Sequence, residues 1–347
     1  MPIGRARAGL ERWLVRQWQA SRPPVALWPA RPLAWVWSIA VTARRALYRA
    51  GLLKARPAPR PTVVVGNLVA GGAGKTPIVM ALVEHLRAAG HRPGVIARGH
   101  GRSSTGACLV SRLSAARDVG DEPLLVHLRT GAPVAVGRDR VAAALALCSA
   151  HPELTVIVSD DGLQHLRLAR DVQIIAFDDR GVGNGHVLPL GPLREPMPRE
   201  LPPRTIVVYT RGSASTPWPG LPGIRRLSAV WPLADWWTGN ATQAVTAHAL
   251  RNRPLLAVAG LARPEGFFAM LREAGLTIRE LPLADHAAFD PLPWSSDERE
   301  VVVTEKDAVK LAPERVGTTR VWVARLDFDL PSDFDAALAP WLPRPTP

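Results

Sequence analysis

The hydrophobic residues of the chain follow two alternating patterns. Short runs of β-branched and aliphatic residues, typical of buried parallel strands, alternate with longer segments in which apolar residues recur at helical spacing. The first pair is the run at 62–65 and a segment with apolar positions at Ile78, Val79, Leu82, Val83 and Leu86. Strands that alternate with helices in this way predict an α/β fold with a doubly wound parallel sheet.

The same pattern divides the chain into regions. Further strands are predicted at 93–97, 133–137, 154–159, 172–177 and 204–210, and then at 255–260, 276–281, 300–304 and 321–325. The stretch at 213–240 is rich in proline and tryptophan and has poor periodicity, which is typical of a connector. We therefore predict an N-terminal segment at 1–55, a first α/β domain at 56–212, a connector at 213–244 and a smaller α/β domain at 245–347.

A glycine-rich loop, GNLVAGGAGKTP at 66–77, joins the first predicted strand to the first predicted helix. In such a loop, backbone N–H groups and a helix N-terminus converge on phosphate. The usual pattern has glycine where this chain has Val69, so the loop is a variant form of the phosphate-binding loop of ATPases and kinases. A glycine-rich turn that binds no ligand is the alternative. The predicted nucleotide-binding residues are Gly71, Gly72, Ala73, Gly74, Lys75, Thr76 and Pro77.

This loop and a second acidic motif together predict a site for ATP and Mg²⁺. Lys75 is expected to reach the β- and γ-phosphates, and the Thr76 hydroxyl to bind the metal. The predicted strand at 154–159 is followed by Asp160 and Asp161. Adjacent carboxylates at a strand end repel each other unless a cation lies between them, so both are candidate Mg²⁺ ligands. A solvated turn is the alternative for this pair.

A third motif, GDEP at 120–123, begins a predicted helix. Asp121 could simply cap that helix, but a kinase also needs a carboxylate that orients the acceptor hydroxyl and accepts its proton. Arg140 and Arg194 are candidate cations for a transferring phosphoryl group or a phosphorylated substrate. Each arginine taken alone is more typical of a surface position.

Composition narrows the class of protein. A length of 347 residues agrees with two domains. The two cysteines, Cys108 and Cys148, provide neither a disulfide framework nor a metal-ligand spacing, which suits a reducing cytoplasm. The net charge of +13 could face nucleic acid, anionic lipid or a phosphorylated substrate.

The N-terminal 60 residues favour lipid among these partners. They combine tryptophans with many arginines, and the longest uncharged apolar run, at 32–43, is shorter than the ~20 residues that span a bilayer. Tryptophan with arginine is typical of a helix at the membrane interface. The alternative is that the tryptophans pack against the protein's own domains, and a signal peptide is rejected because export would remove an ATP site from the cytoplasm. No nucleic-acid-binding signature appears, so no nucleic-acid partner is expected.

The motifs also resemble a known family. GNLVAGGAGKTP, ARGHGR, GDEP, SDDGLQH, GNGHVLPLGPLREP, GLARPEGFF, ADHAAF and VVTEKDAVKL occur in the order found in the tetraacyldisaccharide 4′-kinases of Gram-negative bacteria, and the resemblance covers about residues 10–325. It implies transfer of the ATP γ-phosphate to the 4′-hydroxyl of tetraacyldisaccharide 1-phosphate, which forms lipid IVA in lipid A biosynthesis. It also implies a peripheral or monotopic enzyme on the cytoplasmic face of the inner membrane, bound to an anionic surface and needing no protein partner.

The resemblance further implies roles for residues in the second domain, which is expected to close over the site. In the family, the carboxylate of the DEP motif is the base, paired with a histidine of a DH motif; these match Asp121 and His286. Gln164 then lies near the acidic pair, and Glu122, Arg140 and Arg194 are secondary candidates. The chain departs from the family at His100, where tyrosine is usual, and at Ala287, where a second histidine is common.

Two functions from other classes remain open at this point. One is a regulatory ATPase of the partition or metallochaperone type, whose loop shares the Gly71-Gly72 pair but usually has lysine immediately before it, where this chain has Ala70. The other is a basic nucleic-acid-binding protein, for which steeply salt-dependent binding would be expected.

Overall fold

The fold is described from a computed structural model that covers residues 13–20, 23, 25–72, 74–102 and 105–343. The strands are, in chain order, β1 Thr62–Gly66, β2 Pro93–Ala97, β3 Cys108–Val110, β4 Val134–Val136, β5 Val156–Asp160, β6 Val172–Phe177, β7 Thr205–Tyr209, β8 Leu221–Pro222, β9 Ile224–Pro232, β10 Leu255–Ala259, β11 Ile278–Pro282, β12 Glu300–Thr304 and β13 Arg320–Asp329. Strands β1–β8 form a mixed, largely parallel sheet and β9–β13 a second sheet. The predicted α/β class with a large parallel sheet is confirmed.

The α-helices connect and flank these strands. They are α1 Arg31–Arg49, α2 Lys75–Ala88, α3 Ala116–Val119, α4 Asp121–Thr130, α5 Arg140–Ala150, α6 Leu233–Thr238, α7 Glu265–Glu273, α8 Glu305–Ala308 and α9 Phe334–Leu338. The chain divides into two compact units, one from the described parts of 1–75, 159–223 and 331–347, the other from those of 76–158 and 224–330. We call them the first and the second unit.

In the first unit, three parallel pairings hold the sheet together. Strand β1 pairs with β6, β6 with β7, and β7 with β8. Every residue of β1 is buried, as expected for a β-branched strand that is covered on both faces. The strand ends at Gly66, directly before the glycine-rich loop, so the sheet fixes the position at which that loop begins.

The second unit contains the remaining pairings. Strand β2 pairs in parallel with β4, and the short β3 pairs antiparallel with β4. The five-stranded sheet has the order β11-β10-β12-β13-β9, and only β9 runs antiparallel to its neighbour. Its core includes the buried side chains of Phe267, Phe268, Leu271 and Trp322. The carboxyl end of β12 leads directly into α8, so that helix begins at the edge of a buried sheet.

The predicted strands agree with this architecture, with three omissions. The bounds at 93–97, 172–177 and 300–304 are those of β2, β6 and β12, and the other predicted strands overlap β1, β4, β5, β7, β10, β11 and β13. Strands β3, β8 and β9 were not predicted. The nine residues of β9 lie within the proline- and tryptophan-rich stretch, and their burial is irregular along the strand. Neither the alternating nor the continuous apolar pattern of a strand is therefore present.

Helix α1 presents a broad apolar surface to solvent. The side chains of Leu33, Trp35, Val36, Trp37 and Ile39 are all exposed, and Trp35 is 75% exposed. On its other side the helix packs through the buried Ala34 into a small cluster with Leu27 and Leu190. No helix among residues 13–343, apart from the gaps given above, is long and apolar enough to cross a membrane.

Candidate active site

The glycine-rich loop is organised around Asn67, which is fully buried at the end of β1. Its amide nitrogen donates to the carbonyl oxygens of Val69, at 2.6 Å, and of Gly71, at 3.3 Å. Its amide oxygen accepts from Lys75 Nζ at 3.2 Å. Gly71 and Gly74 have φ of 94° and 76°, which side-chain-bearing residues rarely adopt. The glycines are therefore required by the backbone path of this loop, and Asn67 holds both its turn and its lysine.

The rest of the loop leads into α2. The carbonyl of Gly72 accepts from Arg180 Nη2 at 3.2 Å. Ala73, a predicted nucleotide-binding residue, lies outside the described residues. Helix α2 begins with Lys75, Thr76 and Pro77, where the missing N–H of proline costs no helical hydrogen bond. The strand, loop and helix thus occur in the order that the hydrophobic pattern predicts.

The acidic pair lies where β5 ends, within the first unit. Asp160, the last residue of β5, is buried with 3% exposure. Asp161 follows in the left-handed region with φ 48°. Its carboxylate oxygen Oδ1 lies 2.8 Å from Arg194 Nη1 and 3.5 Å from Lys75 Nζ. The structure therefore brings together the lysine of the loop, one acid of the pair and one of the candidate arginines; we call Asn67, Lys75, Asp161 and Arg194 the loop cluster.

The electrostatics of the loop cluster favour an ionised Asp161. Burial opposes ionisation, but the charges of Lys75 and Arg194 and their hydrogen bonds outweigh it and hold the pKa of the Asp161 carboxyl below its usual value. The donors proposed for Mg²⁺, a hydroxyl and two carboxylates, are hard oxygen ligands of the kind that this ion prefers. One or two carboxylates together with phosphate oxygens are sufficient for Mg²⁺ in nucleotide sites, so the donor chemistry of Asp160 and Asp161 suits the ion, and the ligand role of Thr76 stays a prediction.

Gln164 connects the loop cluster to a buried glutamate. Its amide nitrogen donates to the carbonyl of Asn67 and to Glu195 Oε1, both at 3.2 Å, and its amide oxygen accepts from Arg194 Nη1 at 3.2 Å. Glu195 is only 2% exposed. The side chain of Gln164 therefore fixes the spacing between the loop, Arg194 and Glu195, as its expected place beside the acidic pair implied.

Helix α1 contacts Arg194 and Glu195. Arg45 Nη2 lies 2.6 Å from Glu195 Oε2, and Trp37 Nε1 donates to the carbonyl of Arg194 at 2.9 Å. The helix that exposes apolar side chains is therefore hydrogen-bonded to the segment that carries an arginine of the loop cluster. Trp37 retains 44% exposure despite this bond.

A separate cluster in the second unit is centred on Asp121. The position that caps α4 is Gly120, with φ of 94° and no side-chain hydrogen bond, so Asp121 does not serve as the cap. Its buried carboxylate, with 6% exposure for the residue, instead faces the His286 ring, whose Nδ1 lies 2.9 Å from Oδ2 and 3.1 Å from Oδ1. These two residues are 165 positions apart in the sequence, and the structure places them in direct contact.

Two lysines that the sequence analysis did not single out complete this cluster. Lys306 Nζ lies 3.0 Å from Glu122 Oε1, 3.1 Å from Asp285 Oδ1 and 3.4 Å from His286 Nε2. Glu122, a secondary candidate, thus holds a lysine and has no recorded bond to Asp121. We call Asp121, Glu122, Asp285, His286, Lys306 and Lys310 the acid–histidine cluster.

Lys310 lies just after α8 in the chain, and its ammonium contacts the Asp121 carboxylate. Its Nζ lies 3.6 Å from Asp121 Oδ2 and 3.2 Å from Asp307 Oδ1. Asp307 is fully buried and accepts from the Thr304 hydroxyl at 2.7 Å and from the Gly260 backbone N–H at 2.9 Å. The carboxylate that holds Lys310 is therefore rigid. The only sequence signal for the two lysines was their place in the VVTEKDAVKL motif.

The protonation states follow from these contacts. Burial opposes ionisation of Asp121, but the His286 hydrogen bond and the charges of Lys306 and Lys310 lower the pKa of its carboxyl to about 2. The hydrogen bond to Asp121 raises the pKa of His286 above its usual value, against the opposing effects of burial and of Lys306. Burial disfavours the Lys306 ammonium, yet its three carboxylate neighbours, led by Glu122, raise the pKa of Lys306.

The surroundings of His286 are unusual in two respects. Its φ of 57° places a residue other than glycine in the left-handed region, a conformation that costs free energy and often occurs at functional sites. The ring of His100 lies against it, with centroids 5.3 Å apart and an angle of 39° between the planes. The histidine that stands in place of the family's tyrosine therefore contacts His286 directly. Ala287 contributes no second imidazole.

Arg140 has a different environment from the other candidates. It is the first residue of α5, is 3% exposed, and donates from Nη1 to the carbonyl of Gly137 at 2.8 Å. No contact with Asp121 or His286 is recorded for its guanidinium among the described residues. Its role as a cation for phosphate therefore stays a prediction.

Known proteins share most of this chain. A family model described as tetraacyldisaccharide-1-P 4′-kinase matches residues 26–342. The tetraacyldisaccharide 4′-kinase of Methylibium petroleiphilum is 53% identical over 352 residues, covering 99% of this chain and 98% of that relative. The corresponding protein of Leptothrix cholodnii is 51% identical over 324 residues, covering 92% and 93%.

The fold has a solved counterpart as well. A crystal structure described as the "apo" form of LpxK from Aquifex aeolicus in complex with ATP superimposes with a TM-score of 0.75. The identity is 26%, and the match covers 89% of this chain and 96% of that chain. Similarity in sequence and in structure thus extends over nearly the whole of both proteins.

Proposed function

The chain belongs to the tetraacyldisaccharide-1-P 4′-kinase family, and from this premise we propose that it transfers the γ-phosphoryl group of ATP to the 4′-hydroxyl of tetraacyldisaccharide 1-phosphate. The product would be lipid IVA, an intermediate of lipid A biosynthesis. The observation that carries the proposal for this chain's own residues is the contact between Asp121 and His286, in a chain that also holds a loop motif suited to phosphate. The match leaves the partition-type ATPase alternative without support.

The loop cluster would bind the nucleotide. Backbone N–H groups of the loop and the N-terminus of α2 would hold the phosphates, and Lys75 would neutralise charge on the transferring group. In the structure Asn67 and Asp161 both contact the Lys75 ammonium, so these two residues would orient the lysine. Mg²⁺, held by Thr76 with Asp160 or Asp161, would supply further charge neutralisation on the phosphate oxygens.

The acid–histidine cluster would act on the acceptor. A sugar hydroxyl is far less acidic than a carboxylic acid with a pKa of about 2, so Asp121 cannot remove its proton in advance. Asp121 would accept that proton while the new O–P bond forms and the bond to the ADP oxygen breaks. His286, whose Nδ1 faces both carboxylate oxygens, would fix the direction in which Asp121 presents its lone pairs.

Helix α1 would place the protein on its lipid substrate. Its exposed Trp35, Val36 and Ile39, together with the arginines of the N-terminal segment, suit an interfacial position on an anionic membrane. We propose peripheral attachment to the cytoplasmic face of the inner membrane, where ATP and the acylated disaccharide are both available.

Incubation of the full chain with γ-labelled ATP, Mg²⁺ and tetraacyldisaccharide 1-phosphate, followed by lipid extraction, tests the proposal. Label is expected in the extracted lipid. Selective chemical removal of the 1-phosphate and of the 4′-phosphate should show that the label is in the phosphate at the 4′-position. A reaction without acceptor controls for simple ATP hydrolysis. ATP consumption that leaves no label in the lipid would refute the proposal.

A further inference from the structure

The ammonium of Lys306 has a complete set of partners. An ammonium carries three N–H donors and no acceptor. The three acceptors around Nζ are Glu122 Oε1 at 3.0 Å, Asp285 Oδ1 at 3.1 Å and His286 Nε2 at 3.4 Å. Because Lys306 can only donate, the nitrogen that faces it must present a lone pair. Nε2 of neutral His286 is therefore the unprotonated nitrogen.

The other side of the ring leads to the same assignment independently. Nδ1 lies 2.9 Å and 3.1 Å from the two oxygens of Asp121. An ionised carboxylate is an acceptor only, so Nδ1 must carry the proton. The opposite tautomer would direct an N–H at the Lys306 ammonium and a lone pair at the Asp121 carboxylate, which is unfavourable at both nitrogens.

We propose that Lys306 is a positioning residue that keeps Nε2 of His286 unprotonated, so that the ring is neutral and its one proton, on Nδ1, is directed at Asp121. For its catalytic consequence this inference rests on the proposed function. Asp121 is then the group that takes the proton of the acceptor hydroxyl as the O–P bond forms. Because Nδ1, the nitrogen that faces Asp121, already carries a proton, the imidazole cannot take the acceptor's proton from Asp121, and that proton leaves from Asp121 to solvent with the departure of product.

The charges that face His286 predict how removal of Lys306 would act. Asp121 and Asp285 face the ring, with Asp285 Oδ1 3.9 Å from Nε2, while Lys306 is the cation in contact with it. The His100 ring packs beside it, and Lys310 faces the Asp121 carboxylate and has no recorded contact with the imidazole. Loss of the Lys306 charge would leave His286 between carboxylates and favour a second proton, on Nε2, in addition to the proton on Nδ1.

The test uses Lys306→Met with Lys310→Met as its matched comparison, since each removes one ammonium beside Asp121 but only Lys306 contacts Nε2. Long-range ¹H–¹⁵N spectra of the full chain labelled with ¹⁵N-histidine report which ring nitrogen is protonated. The His286 signals are assigned by their loss in His286→Gln. In alkaline solution the wild type, Lys310→Met and Lys306→Met are all expected to show a protonated Nδ1 and a bare Nε2. As the pH is lowered, Nε2 should gain its proton about one pH unit earlier in Lys306→Met than in the other two proteins, because the repelling ammonium is gone.

Kinetics supply a second readout that a purely structural role would not move. The acidic limb of the kcat–pH profile should shift to higher pH by about one unit in Lys306→Met. A unit charge at the distance of Lys306 Nζ from Nε2 changes the pKa of the imidazole by about that much, even when both groups are fully solvated. A wild-type spectrum with the proton of the neutral ring on Nε2 would overturn the inference, and this result needs no lysine variant. If folded Lys306→Met protonates Nε2 at the same pH as the wild type and keeps the same acidic limb, the inference is also overturned.

The spectrum separates this inference from the proposed function because it requires no turnover. If no lipid is phosphorylated but Nδ1 carries the proton, the tautomer assignment stands and the kinase proposal fails. If lipid is phosphorylated but Nε2 carries the proton, only the role of Lys306 fails.

Discussion

Replacement of Asp121 by asparagine separates the charge of this residue from its shape. Asparagine keeps the volume of a side chain that is only 6% exposed, and its amide oxygen can still accept from His286. It removes the negative charge and the ability to take a proton. A general base contributes about 10²–10⁴ in rate, so Asp121→Asn should lose roughly that factor in kcat while the affinity for ATP changes little.

The same substitution has a stability cost that can be worked from the pKa. The Asp121 carboxyl has a pKa of about 2 in the folded chain, against about 3.9 in an unfolded chain. At about 1.4 kcal/mol per unit, ionised Asp121 contributes about 2–3 kcal/mol at neutral pH. Because the folded pKa is depressed, this contribution is present above about pH 3.9 and is lost as the pH falls through about 2. The gap in unfolding free energy between wild type and Asp121→Asn should therefore narrow by about half near pH 3.

The assays are kcat from labelled lipid, ATP affinity from equilibrium binding, and urea unfolding at neutral and acidic pH. The exposed neighbour Asp118→Asn and the exposed His248→Gln are matched controls and should behave as wild type. If Asp121 and His286 act as a unit, Asp121→Asn/His286→Gln should be hardly slower than Asp121→Asn alone. Near-normal kcat in folded Asp121→Asn would refute the assignment of the base, and fully multiplicative losses would show that His286 serves another step.

Three further predictions concern other parts of the molecule. Lys75→Ala should abolish lipid phosphorylation in a chain that still unfolds cooperatively, with a lower thermal midpoint because Asn67 and Asp161 lose a partner; near-normal turnover would contradict the phosphate-loop assignment. Trp35→Glu on the exposed face of α1 should weaken co-sedimentation with anionic vesicles, whereas the exposed Trp341→Glu should not; equal binding would place the membrane contact elsewhere. Arg129→Met should cost about 3–5 kcal/mol in urea unfolding because it leaves the buried Glu305 without its guanidinium, and a loss below about 1 kcal/mol would be inconsistent with that ion pair.

The architecture was largely predictable because its strands are buried. Three predicted strands match the structure to the residue, since continuous β-branched runs leave little choice of conformation when both faces are covered. Strand β9 was not predicted because it is an edge strand whose exposed and half-buried residues alternate irregularly. Its conformation is imposed by antiparallel pairing with β13, a contact that no local window of sequence contains.

The candidate site was likewise predictable only where its residues are close together in the sequence. The glycine loop and the acidic pair carry their signal within a few residues, so local spacing was sufficient to find them. The partnership of Asp121 with His286 came only from the resemblance to a family, because 165 residues separate the two. Lys306 and Lys310 were missed because their function depends on acceptors contributed by distant segments, and a lysine beside an acid in sequence is indistinguishable from a solvated surface pair.

The use of lysine in this chain has a practical consequence. Lysine and arginine together number 43, yet only four are lysines, at positions 54, 75, 306 and 310. Each of the last three presents a compact ammonium to acceptors that converge from several directions, a geometry that the planar guanidinium of arginine does not reproduce. Only the exposed Lys54 lies outside the two clusters. Amine-directed chemical labelling followed by mass spectrometry would therefore report on both clusters against a background of Lys54 and the α-amino group alone. Protection by ATP could be assigned to Lys75 separately from protection by the acylated acceptor at Lys306 and Lys310.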